Sequence, residues 1–230
     1  MNKKIFIACD TNNLSKVKKI INETKTKKLK IGYKFGLEFF YSKKGRSFLS
    51  TLKKNKIIFL DLKLNDIPNT CAAAVLSLKD LKNVRYLTAH TNGGYEMLKT
   101  IKKSAKKINK NLKILGVTVL TSLSKNSLKK TGHTKSINSI VAQQAKLAKL
   151  SGLDGVVCSG LEANKIKRIC KGMEIVTPGI RFLKDKSKDQ KRIITPKKAF
   201  ENGATAIVIG RSITRGNIKK NIKKLIKSLN

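Results

Sequence analysis

The stretch Ile57-Ile58-Phe59-Leu60-Asp61-Leu62-Lys63-Leu64-Asn65-Asp66-Ile67-Pro68-Asn69-Thr70 decides how the chain is read. Its first half is an apolar run of strand length, as expected of a strand buried on both faces. Its second half sets charges where that strand should end. In a strand, residues i and i+2 share a face with α-carbons roughly 6.5 Å apart. Asp61 and Lys63 can therefore touch while Leu62 and Leu64 face the other way. Asp66 lies just beyond, and Pro68 prevents the strand from continuing. A lone Asp-x-Lys is commonly a structural ion pair. Two acids and a lysine within six residues of an apolar strand point instead to a site.

Outward from this strand the pattern repeats. Before it, Lys4 to Cys9 is a short apolar run ending at Asp10, and Thr11 to Lys28 carries apolar residues at helical spacing. Leu29 to Phe35 is a second strand containing Lys34, and a helix lies within Leu37 to Lys54. After it come a helix over Asn69 to Leu81, with Asn69 or Thr70 as cap, and a strand over Val84 to His90. A turn at Thr91-Asn92-Gly93-Gly94 leads into a helix over Tyr95 to Ile108. Leu112 to Leu120 and the helix Ile137 to Leu150 follow, then Leu153 to Cys158 and Leu161 to Cys170. Glu174 to Thr177, a helix near Pro196 to Asn202, Thr205 to Ile209 and Asn217 to Leu229 complete the chain. Eight alternations with no linker-like stretch predict a single (β/α)₈ barrel domain over residues 1–230. A doubly wound open sheet is the alternative. The barrel places functional groups at the carboxyl ends of strands, where Asp10, Lys34, Asp61, Lys63, Thr121 and Arg211 all fall.

Composition narrows the function classes. The 230 residues are 40% hydrophobic, enough for a substantial core. No apolar run approaches the length of a membrane span, and Met1-Asn2-Lys3-Lys4 leads directly into a strand with no cleavage site, so a cytoplasmic protein is expected. Cys9, Cys71, Cys158 and Cys170 form no Cys-x-x-Cys pair and are read as buried thiols. With only His90 and His133 besides, no metal-ligand constellation is visible. His90 is read as structural. The net charge of +39 raises the question of nucleic acid. The basic residues, however, are mostly lysines spread over nearly every helix, without interleaved aromatics on which bases stack. The field favours a small anionic substrate.

The chain resembles the orotidine 5′-phosphate decarboxylase family. Asp61-Leu62-Lys63-Leu64-Asn65-Asp66-Ile67-Pro68-Asn69-Thr70 looks like its signature, with Asn65 where the family usually has histidine. Lys34-Phe35-Gly36-Leu37-Glu38-Phe39-Phe40 resembles its second strand, and Ser151 to Ser159 its sixth. Thr177-Pro178-Gly179-Ile180-Arg181 resembles its seventh. Asp189-Gln190 with Thr195-Pro196, then Ile209-Gly210-Arg211-Ser212-Ile213, resemble its phosphate-binding segments.

The resemblance implies metal-free, cofactor-independent decarboxylation of a pyrimidine nucleotide by a charge tetrad of Lys34, Asp61, Lys63 and Asp66. Lys63 would be the proton donor, and Asp66 would reach in from the other subunit of a homodimer. Substrate contacts are implied for Asp10, Lys34, Asp61, Thr70, Thr121, Arg181, Gln190, Gly210 and Arg211. Independently of the resemblance, Gly210 lets backbone approach an anion and Arg211 can grip it in a fork, in the loops where barrels usually hold phosphate. The long polar segment from Phe182 to Ile194 is expected to close over that phosphate through Gln190. Neither nucleic acid nor membrane is expected as a partner. The nearest alternative is a magnesium-dependent sugar-phosphate decarboxylase or aldolase of a related barrel family, which shares Asp-x-Lys-x-x-Asp. Ile67-Pro68-Asn69-Thr70 and the Gln190 segment favour the nucleotide enzyme. The other alternative is a basic nucleic-acid-binding protein.

Overall fold

Apolar runs that must bury both faces form a parallel sheet covered by helices, and here that sheet closes on itself. A computed structural model describes residues 3–183, 185 and 192–229. The strands are β1 (Lys4–Ala8), β2 (Lys30–Gly36), β3 (Ile57–Leu64), β4 (Val84–His90), β5 (Lys113–Val117), β6 (Gly155–Val157), β7 (Glu174–Thr177) and β8 (Ala206–Ile209). They pair in parallel in sequence order, and β8 returns to β1 through pairs such as Ile7↔Ile209. The chain is thus a closed eight-stranded barrel, as the alternation predicted.

Helices α1 (Leu14–Glu23), α2 (Leu37–Phe40), α3 (Gly45–Thr51), α4 (Pro68–Leu76), α5 (Gly94–Ile108) and α6 (Lys125–Lys130) cover the first half. Helices α7 (Ile137–Leu150), α8 (Ala163–Ile169), α9 (Pro196–Glu201), α10 (Arg211–Thr214) and α11 (Ile218–Leu229) cover the second. Four differ from the sequence reading, the short α10 being unexpected. The single helix expected in Leu37 to Lys54 is split into α2 and α3. The second helix α4 begins at Pro68 with Ile67 as its uncapped N-terminal residue, so neither Asn69 nor Thr70 is the cap. Proline at the first helical position has the right φ and no N–H to leave unsatisfied. The third, α6, was not expected. Ser124 caps it by accepting the N–H of Ser127.

Alternation along the strands separates two buried layers. Side chains pointing outward, such as Ile5, Ile7, Leu60 and Leu87, pack beneath the helices in one extended cluster. Those pointing inward, Phe6, Phe59, Tyr86, Leu115, Val176 and Ala206 among them, fill the barrel. The rings of Phe6, Phe59 and Tyr86 sit edge to face or tilted with centroids 5.0 to 5.8 Å apart. Below them Glu174 takes Lys4 at 3.0 Å and also pairs with Lys113, closing the amino-terminal end. Above the packed middle, a cavity opens at the carboxyl end. All four cysteines are buried and free. Among the described residues no helix is long and apolar enough to cross a membrane.

Candidate active site

Above the aromatic layer, β2 and β3 turn charged side chains inward beside apolar Ala8, Val117 and Val208. Register places Ala8, Lys34 and Phe59 side by side, with Gly36 beside Asp61. Lys34 Nζ lies 2.9 Å from Asp10 Oδ1 and 3.2 Å from Asp61 Oδ2, and Lys63 Nζ lies 3.0 Å from Asp61 Oδ1. The result is a ladder of alternating charge, Asp10–Lys34–Asp61–Lys63, across β1, β2 and β3.

Burial sets the character of each rung. Lys34 is 8% exposed, which alone would lower its pKa. The carboxylates of Asp61 and Asp10 reverse this and raise it above the ordinary lysine value. Burial would likewise raise the Asp61 carboxyl, but Lys34 and Lys63 hold it below its usual range. A buried ammonium without partners would cost several kcal/mol, so these groups stay charged together.

Asp61 and Lys63 touch, as the spacing suggested, but not through a regular strand. Register between β3 and β4 slips between Leu60 and Leu64, and Lys63 has φ +51°, the one positive φ outside glycine among the described residues. A long side chain in left-handed backbone marks strain held by its surroundings. Thr88 supplies that hold: its Oγ1 accepts the Lys63 N–H at 2.9 Å and donates to Asp61 Oδ1 at 3.1 Å. The sequence reading missed Thr88. Its signal was a hydroxyl two residues after inward-facing Tyr86, on the same face of β4.

The ladder borders a cavity of about 550 Å³ that reaches Val117, Thr121, Pro178, Gly179, Arg181, Gly210 and Arg211. The loops after β7 and β8 thus give the cavity a second cationic region. A Cβ built on Gly210 would meet only Ala8 Cβ, at 3.4 Å. Its lack of a side chain is therefore not required by the chain's own packing. Asp10 does not cap α1, which Asn13 does.

Asp66 and Thr70 do not line this cavity. Asp66 is exposed, its carboxylate accepts the N–H of Ile67 at 2.7 Å, and it forms no ion pair among the described residues. Gln190 lies outside the described residues, as does the closing movement expected of its segment. His90 is half-buried, and burial and the nearby Lys63 lower its pKa.

Among the described residues no three histidines, cysteines or acids form a group able to hold a metal ion. Asp61 has each oxygen on a lysine, so a magnesium ion there would have to displace both.

The family model described as orotidine 5′-phosphate decarboxylase / HUMPS matches residues 3–224. A curated protein named orotidine 5′-phosphate decarboxylase from Oenococcus oeni is 43% identical over 217 residues, covering 94% of this chain and 93% of the relative. One of the same name from Wolbachia sp. subsp. Brugia malayi is 44% identical over 226 residues, covering 96% of each. The crystal structure of the Lactobacillus acidophilus orotidine 5′-phosphate decarboxylase superposes with a TM-score of 0.85 at 33% identity, over 99% of both chains. With a charge ladder at the carboxyl end of a closed barrel and matches of this length, the chain belongs to the orotidine 5′-phosphate decarboxylase / HUMPS family.

Proposed function

We propose that the chain converts orotidine 5′-monophosphate to uridine 5′-monophosphate and carbon dioxide, the last step of de novo pyrimidine nucleotide synthesis, without metal or organic cofactor. The observation that carries this is the buried Asp10–Lys34–Asp61–Lys63 ladder facing a cavity with cationic loops at β7 and β8. Relatives bearing the decarboxylase name support it over the sugar-phosphate branch.

In this reading Gly210, Arg211 and the Gly179–Arg181 turn hold the 5′-phosphate, Asp10 and Thr121 contact the ribose and base, and the pyrimidine carboxylate lies against Asp61. The bond from carbon 6 to the carboxylate breaks, its electron pair stays on carbon 6, and carbon dioxide departs. Lys63 gives a proton to carbon 6 and regains one from water. A fixed ammonium stabilises charge developing at carbon 6 more than charge on the more distant carboxylate. Repulsion between Asp61 and that carboxylate, about 4 kcal/mol at 4 Å and an effective dielectric of 20, is relieved as neutral carbon dioxide forms. Gln190 is assigned to the phosphate and Thr70 to the substrate by resemblance alone.

Asp66 completes the site of a second copy in a two-fold homodimer. Two facts support this: Asp66 is exposed and without an ion pair among the described residues, and exposed Ile67, Leu37, Tyr41 and Leu76 lie on the segments following β2 and β3. The reading is tested by incubating purified protein with orotidine 5′-monophosphate and following the ultraviolet change to the product, before and after exhaustive chelation. Turnover that survives chelation is expected. Loss that magnesium restores would move the chain to the sugar-phosphate branch.

A further inference from the structure

Apart from the ladder, one heavily engaged side chain at the carboxyl end of the barrel is Arg192. Its guanidinium pairs with Glu162, and Nη2 donates to the carbonyls of Val119 and Leu120, each at 3.0 Å. Glu162 closes the loop after β6, where its second carboxylate oxygen accepts the Ser159 N–H at 3.0 Å. Both side chains are buried, at 10% and 5% exposure. One cation therefore fastens the loop after β5, the loop after β6 and the returning limb of the connection after β7.

That limb is itself tied to the cavity wall. Arg181 N donates to Ile194 O at 3.0 Å, and Ile194 N donates to Gly179 O at 3.1 Å. Gly179 and Arg181 line the cavity on one side, and Val119, Leu120 and Thr121 line it on another. Packing leaves little slack beside the ion pair. A Cβ on Gly160 would come within 2.7 Å of Ile194 Cγ2, and Asn202 Nδ2 donates to Gly160 O at 2.7 Å. A buried ion pair is seldom needed for stability, since apolar residues of similar volume often serve as well. What the planar fork adds is direction: it fixes two adjacent carbonyls against one carboxylate.

We infer that Arg192 and Glu162 are positioning residues which hold the Gly179–Arg181 wall in register with the Val119–Thr121 wall, and so set how strongly the site holds the 5′-phosphate of a nucleotide. This rests on the nucleotide reading above. Neither residue touches the reacting atoms, so they act on binding more than on proton transfer at Lys63.

The test compares wild type, Arg192→Met and Glu162→Gln. It measures kcat and KM for orotidine 5′-monophosphate, dissociation constants for uridine 5′-monophosphate and for uridine, and melting temperature. For Arg192→Met, KM should rise by about tenfold or more, with a larger change in KM than in kcat. The preference for nucleotide over nucleoside should shrink by a similar factor, on the order of the tenfold expected for about 1.4 kcal/mol of lost binding. Glu162→Gln keeps the shape and removes the charge, so it should move both quantities in the same direction by a smaller factor. It carries the test if Arg192→Met does not fold. A variant that melts lower yet keeps the wild-type nucleotide-to-nucleoside ratio would make the pair purely structural and overturn the inference. So would a loss of kcat with that ratio unchanged. Because the ratio is read from binding alone, a wild-type protein with no decarboxylase activity would defeat the functional reading without deciding this one.

Discussion

Thr88 shows how a single hydroxyl can decide the geometry of a charged site. It serves the backbone of Lys63 and the carboxylate of Asp61 at once, holding a long side chain in left-handed backbone. Thr88→Val keeps the volume but leaves the Lys63 N–H and one Asp61 oxygen without that partner. It should destabilise the protein by about 1–3 kcal/mol and lower kcat by roughly tenfold to a hundredfold through misplacement of Lys63. Denaturant unfolding and steady-state kinetics check both, and wild-type kcat would remove Thr88 from the site. Asp61 makes a second prediction. Its folded pKa lies below its unfolded one because Lys34 and Lys63 outweigh burial. The stability it contributes is therefore present above the ordinary carboxylate value of about 4 and lost as pH falls through the lower folded value. Wild type should melt well above Asp61→Asn at pH 7, and the gap should narrow below about pH 4. A gap constant from pH 7 to pH 3 would contradict this origin.

At the scale of elements, the bulge in β3 and the turn after β8 place the two ends of the site. Regular pairing would carry Leu60↔Leu87 on to Leu62↔Ala89, but the observed partner of Ala89 is Leu64. The two extra residues fall among Asp61, Leu62 and Lys63, and such bulges re-aim side chains near active sites. At the other end, Gly210 precedes α10 with φ −111° and ψ −106°, so its φ is not in the left-handed region that favours glycine. A Cβ there makes only an ordinary contact with Ala8. Gly210→Ala should keep the fold, lowering the melting temperature by no more than about 2–4 °C for a cost of about 1 kcal/mol. It should also raise KM for orotidine 5′-monophosphate by at least about tenfold, because the methyl group occupies the space through which phosphate approaches the backbone. Unchanged KM would take the phosphate away from this turn.

The whole molecule offers a test of sharing. If Asp66 serves the second subunit, Lys63→Ala and Asp66→Ala homodimers should both be nearly inactive, Lys63→Ala keeping well under a tenth of turnover. In a mixed dimer one site carries both defects and the other carries none, by isologous symmetry. Half of randomly reassorted dimers are mixed and half of their sites are intact, so roughly a quarter of wild-type activity should return. With subunit exchange verified, no recovery would mean that Asp66 acts within its own chain. Charge gives a second expectation. With a net +39, self-repulsion opposes the compact state, and raising salt from 0.01 to 1 M shortens the screening length from about 30 to about 3 Å. The melting temperature should rise over that range, and a fall would show that favourable ion pairs, which salt also screens, outweigh the net repulsion.

Periodicity and punctuation predicted a parallel α/β fold and favoured the barrel over a doubly wound open sheet, because each strand must bury both faces and each helix one. Closure itself, β8 pairing with β1, is decided by the tertiary structure. The same patterns also marked Asp10, Lys34, Asp61, Lys63, Thr121 and Arg211, because barrel function gathers where strands end. Other features depend on atoms distant in sequence. Nothing in the order of residues says that Lys34 joins Asp10 to Asp61, that Thr88 props Lys63, or that Arg192 reaches back to Val119, Leu120 and Glu162. These are contacts across strands 24 to 73 positions apart, and they exist only once barrel closure brings the ends of β1 to β8 around one axis. Helix starts were legible at Pro196 and after Ser136, where α9 and α7 begin, but not at Pro68 or after Ser124. The bulge at Lys63 was not, because a slip in register is a property of two paired strands and no single strand encodes it.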